Sequence, residues 1–183
     1  MALGILAAIV LLIRFSVAGQ EPLRVKYQRV ISQQYPGFRI LEPHDFETNL
    51  RLHWRDGRSG SLLVGRFNYD AYLDFAAWIR SDEKKRYRFD HPFDYYTSKI
   101  VTCFGNADGV SFRCVASDGY GILTLPNDTD MHLIGPGSHT CAEERGSRKI
   151  VTQIDSVGTS SEKGASFLSR NRDGTTYTCV TAD

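Results

Sequence analysis

The chain has 183 residues, 22 of them basic and 21 acidic, for a formal charge of +1. That length suits one domain of roughly 100–200 residues with a hydrophobic core of its own. The near-neutral balance excludes a general polyanion-binding role, so no nucleic-acid partner is expected; 9 Tyr, 10 Phe and 2 Trp lean the fold towards β structure.

Residues 2–13 form an unbroken apolar run, counting Gly4. A bilayer-spanning helix needs about 20 apolar residues, whereas about 7–15 suit the core of a secretory signal. Ser16-Val17-Ala18 then sets small residues before Gly19, as signal cleavage requires. The expectation is a signal peptide over residues 1–18 and a single exported domain over 19–183. No Lys or Arg precedes the run and Arg14 follows it, so a retained anchor is the alternative, with membrane contact confined to residues 2–18.

Residues 22–34 read as a helix. Leu23, Tyr27, Val30 and Ile31 fall at i, i+4, i+7 and i+8 and make one apolar stripe. Pro22 suits the first turn, and Pro36-Gly37 stops the helix. Strands are expected at 38–41, 50–54, 62–67 and 74–80. The charged stretch 81–89 reads as a helical turn or an exposed loop, and 91–97, with Pro92, as an interior linker. Further strands are expected at 99–104, 110–116, 121–125, 132–134, 149–154, 165–170 and 175–181, the last two flanking the turn Asn171-Arg172-Asp173-Gly174. One helix followed by about eight to ten short, mainly antiparallel strands defines an α+β domain.

Four cysteines behind an export segment, Cys103, Cys114, Cys141 and Cys179, read as two disulfides. Strands on either side of Asn106-Ala107-Asp108-Gly109 make a hairpin. It sets Cys103 almost opposite Cys114, where Cα atoms approach to about 4.5 Å. Cys141 and Cys179 then pair by elimination. The cysteine spacing contains no C-x-x-C unit for zinc, and no cofactor is expected.

The most distinctive stretch runs from Val64-Gly65-Arg66-Phe67-Asn68 through Tyr69-Asp70-Ala71-Tyr72-Leu73 to Asp74-Phe75-Ala76-Ala77. It resembles one copy of the calcium loop of FG-GAP/VCBS repeats, with Asn68, Asp70 and Asp74 at the third, fifth and ninth places. The resemblance implies metal ligation by those three oxygens, since a hard cation takes about 6–8 oxygen ligands. Arg66 stands where the family has its first Asp, and Ala71 where it has glycine. The residues themselves read as a turn whose side chains cap backbone N–H groups. In its looser order of helix, loop, cysteine hairpin and terminal Gly174-Thr175-Thr176-Tyr177-Thr178-Cys179, the chain resembles a group of uncharacterised exported bacterial proteins, which implies no known activity.

Catalytic signatures are weak. His44, His53, His91, His132 and His139 form no paired metal-ligand spacing. Ser138 lies beside His139 in a Gly/Pro loop, but Thr140 stands where a nucleophile elbow needs glycine. Glu143-Glu144 and Asp82-Glu83 read as solvated pairs, and Asn127-Asp128-Thr129 matches a glycosylation sequon. No catalytic residue is assigned. Two stretches suit partner contact: the basic run of Arg80, Lys84, Lys85, Arg86 and Arg88 with Tyr87 interleaved, and the aromatics Phe93, Tyr95 and Tyr96. The expected function is an exported, non-enzymatic binding module, an inhibitor or immunity-like protein of the periplasm, whose partner is a protein of that compartment. The alternative is a small periplasmic or secreted hydrolase of cell-wall or polymer substrates, which requires a cleft holding His beside Asp, Glu or Ser.

Overall fold

The computed structural model describes residues 22–45, 55–87, 93–116, 130–143, 146–161 and 164–181. The expected signal segment, the strand candidates 50–54 and 121–125, the sequon at 127–129, and Arg88, His53 and His91 lie outside the described residues.

Helix α1 covers Leu23–Gln34 and buries Tyr27, Val30 and Ile31. The Pro22 carbonyl accepts from the N–H groups of Val25 and Lys26, which starts the helix. Tyr35 leaves helical dihedrals and Gly37 takes a φ of 76°, which turns the chain into the first strand. Leu23 departs from the expected stripe: it is 44% exposed, beside Gly57 at the margin of the core.

Twelve strands follow among the described residues: β1 (Phe38–Ile40), β2 (Ser59–Gly60), β3 (Leu62–Gly65), β4 (Asp74–Tyr87), β5 (Phe93–Gly105), β6 (Phe112–Ala116), β7 (Asp130–Ile134), β8 (Gly137–Glu143), β9 (Gly146–Thr152), β10 (Ser156–Ser161), β11 (Gly164–Arg170) and β12 (Thr176–Thr181). They form two sheets. The first has five strands in the order β1-β4-β5-β6, and β3 lies end to end with β1 along the same edge of β4. The second has seven, in the order β2-β7-β10-β11-β12-β8-β9. All these strand pairings are antiparallel. The chain steps between sheets at Ser61, whose Oγ donates to the Leu41 carbonyl and whose own carbonyl accepts from Trp78 N–H at 2.9 Å.

The layers explain the sequence pattern. Phe75, Ala77, Ile79, Val101 and Cys103 pack under α1 with Tyr27, Val30 and Ile31. Ala76, Trp78 and Ile100, from the opposite face of the same strands, pack with Met131 and Val157 of the second sheet. Central strands covered on both faces read as continuous apolar runs, as in Phe75-Ala76-Ala77-Trp78-Ile79. The fold is therefore α+β, one helix and two sheets, and both disulfides form as the hairpin argument requires. Cys103 is in register with Cys114 at a Cα separation of 3.9 Å. Cys141 joins Cys179 at 5.2 Å. The second bridge supports a short ladder, since among the described residues β8 pairs with β12 at the single position of Thr181 opposite Cys141.

Candidate functional site

The two stretches marked separately for partner contact come together as the strands of one ribbon. Lys84 stands opposite Tyr96, Lys85 opposite Tyr95, Arg86 opposite Asp94 and Tyr87 opposite Phe93. Pairing of β1 with β4 stops at Ser81, and pairing of β6 with β5 starts at Val101. Beyond those points the ribbon has no outer neighbour among the described strands, and residues 82–86 are exposed. The reading of 81–89 as a helical turn or loop is corrected for 81–87, and the linker reading of 91–97 is corrected for 93–97: both are strand. A strand segment solvated on both faces, as residues 82–86 are, needs no alternation of apolar and polar residues, so its sequence carries no period.

The base of the ribbon is locked. Residues 81–83 of β4 face the single Thr97 of β5, between the pairs Arg80–Ser98 and Lys84–Tyr96. Ser81 fills this bulge: its Oγ accepts from Thr97 N–H at 3.2 Å and donates to the Glu83 carbonyl at 3.0 Å. The Arg80 guanidinium carbon sits 4.2 Å from the Tyr96 ring centroid, and Arg80 Nη1 lies 3.1 Å from buried Asp45. Arg39 donates twice to the same carboxylate, at 2.6 and 2.7 Å, and Glu42 N–H donates at 2.7 Å. Burial pushes the Asp45 carboxyl up, but the hydrogen bonds from Arg39 and Glu42 and the charges of Arg39 and Arg80 outweigh it and hold it below its usual range. Sequence reasoning missed Asp45 and Arg39. Neither carries a local signal, because the partners come from β1, the turn Pro43–Asp45 and β4.

In the aspartate loop, each oxygen-bearing side chain serves the backbone. Asn68 Oδ1 accepts from Asp70 N–H at 3.1 Å, and Asp70 accepts from Tyr72 N–H at 2.8 Å. Asp74 is fully buried and accepts from Phe67 N–H at 2.7 Å and Gly105 N–H at 2.9 Å, tying the loop to the end of β5. Burial pushes its carboxyl up to about 6, against the pull of those N–H groups. Among the described residues, no group of three His, Cys, Asp or Glu side chains is placed to hold a metal.

The described histidines are dispersed. His44 is 67% exposed, with Nδ1 3.2 Å from Glu42. His132 lies in β7, and His139 Nε2 lies 3.1 Å from Thr152 Oγ1 in the β8–β9 hairpin. Ser138 is exposed and already part of β8, so the expected Gly/Pro loop is shorter than residues 135–139.

A cavity of about 450 Å³ opens between the sheets. Thr102, Phe104 and Val115 line it from the first sheet, and Leu168, Arg170 and Thr178 from the second. The Arg170 guanidinium carbon lies 4.6 Å from the Phe104 ring centroid. No sequence signal marks this cleft, because its walls meet only through the stacking of the sheets.

Fold and covalent framework define a layered α+β protein stapled by two disulfides, the bonding expected of an exported chain in an oxidising compartment. No described helix is long and apolar enough to cross a membrane. Comparison with protein-family models, curated proteins and solved structures finds no match in any of the three.

Proposed function

We propose that this chain is an exported, non-enzymatic binding module of the periplasm, inhibitor-like or immunity-like, that grips a protein partner with the β4–β5 ribbon. The observation that carries the reading is the register that sets the basic run 84–86, which is exposed, against the aromatic-rich run 93–96 in one ribbon. Aromatic and arginine side chains are the residue types that interfaces concentrate. The locked base supports the same reading, since a foot already held in place lowers the ordering cost of docking there. The charges on the arm are mixed, with Asp82, Glu83 and Asp94 beside Lys84, Lys85 and Arg86. Such a surface suits a protein of complementary mixed charge better than a uniform polyanion.

The test places a photo-crosslinking amino acid at position 85 of the full chain in its own cells, with position 151 on β9 as control. The reading expects one defined adduct from position 85 and none from 151. Equal labelling from both positions, or no adduct from 85, overturns it.

A further inference from the structure

We propose that the cleft between the two sheets binds a small organic anion with an apolar body, an aryl or acyl carboxylate, and that Arg170 supplies the counter-charge. The site is distinct from the ribbon, since its walls come from the other end of β5, from β6, β10, β11 and β12, and from Phe67 and Asp155.

Volume and walls set the class of ligand. A cavity of about 450 Å³ lies within the size of ordinary small-molecule sites, roughly 300–1,000 Å³. Phe104 and Leu168 face it and are only half buried, and Val115 is 48% exposed. These walls offer apolar surface that an acyl chain or aromatic ring would cover. Thr102 and Thr178 add hydroxyl groups to the lining.

Arg170 is the cation of a lining that also holds the Asp155 carboxylate. Its Nε donates to the Gly174 carbonyl at 3.1 Å, which fixes the side chain across the β11–β12 turn, and the Phe104 ring supports its face. No carboxylate of the described residues lies within ion-pair distance of it. Asp155, the carboxylate in the lining, accepts from Arg66 N–H at 2.8 Å. A half-buried, pre-oriented guanidinium forms stronger charge-assisted hydrogen bonds to a carboxylate than an exposed one.

The probe is 8-anilinonaphthalene-1-sulfonate, titrated by fluorescence into the full-length chain and then displaced by dodecanoate or by dodecanol. Arg170→Gln should weaken the saturable binding roughly tenfold through loss of the charge-assisted bond. Thr178→Trp, at an exposed position on the wall, should fill the cleft and abolish binding. Dodecanoate should displace the probe at far lower concentration than the alcohol. The apolar N-terminal run is present in every variant and cancels in the comparison. Binding that survives both substitutions, or equal displacement by acid and alcohol, overturns the proposal. If Arg170→Gln fails to fold, the Thr178→Trp result decides it alone.

Discussion

Arg80 and Tyr96 face each other across the foot of the ribbon, guanidinium carbon to ring centroid 4.2 Å, while Arg80 Nη1 reaches Asp45 at 3.1 Å. One side chain thus joins the arm to the body. Tyr96→Ala should cost about 1 kcal/mol. Arg80→Ala should cost more, about 2–3 kcal/mol, because it also strips a partner from a buried carboxylate. A double-mutant cycle by urea denaturation should give a coupling of about 0.5–2 kcal/mol for the pair. Additive effects would show that the ring and the guanidinium do not act together.

Asp45 and Asp74 set opposite pH dependences. Asp45 has its carboxyl held below the usual range, so its contribution is present above the unfolded-state value and is lost as pH falls through the folded one. Asp74 has its carboxyl raised to about 6 from 3.8, so the folded state binds the extra proton between those values. Its contribution is full below 3.8 and is lost as pH rises through about 6. The stability deficit of Asp74→Asn should therefore be larger at pH 4 than at pH 7, and that of Asp45→Asn larger at pH 7 than at pH 3. Denaturant midpoints across that range check both signs.

Gly105 cannot accept a side chain. A Cβ there would overlap the Leu73 carbonyl oxygen and crowd the Phe112 ring, and the Gly105 N–H is committed to Asp74. Gly105→Ala should destabilise the protein by about 2–4 kcal/mol, as backbone must move to admit the methyl. Gly109, with open space around it, should tolerate alanine better, its cost limited to the positive φ of 65°. Thermal melts of the two variants separate the cases.

The two disulfides should differ in worth. Cys103–Cys114 closes a separation of 11 residues inside a hairpin already held by its own ladder. Cys141–Cys179 closes 38 residues and secures β8 to β12, which pair among the described residues at Thr181 opposite Cys141. In the chain-entropy account the longer loop contributes about 3–4 kcal/mol. Replacing Cys141 and Cys179 by serine should therefore lower the unfolding free energy more than the same change at Cys103 and Cys114. Proteolysis of the first variant should cut first near the β8–β9 hairpin.

Local chemistry in the sequence determined a good deal. Pro22 and Pro36-Gly37 bound α1, and the stripe Tyr27, Val30 and Ile31 marks its buried face. The turns at Asn106 and Asn171 fix their hairpins: Gly109 and Gly174 each donate back to the asparagine carbonyl, at 3.0 Å in both cases. The first of these hairpins places Cys103 opposite Cys114 and leaves Cys141 for Cys179. Such features close over a few residues, so their cause lies within reach of one short window of sequence.

Only the tertiary structure decided the rest. Nothing local tells β4 to run on past Arg80 as a charged ribbon, because a strand wet on both faces has no period to read. The burial of Asp74, the clamp of Arg39 and Arg80 on Asp45, and the meeting of Arg170 with Phe104 join residues from different strands or loops. Their partners are chosen by the order and stacking of two sheets. That order is a property of long-range pairing, whose free energy depends on all the strands at once.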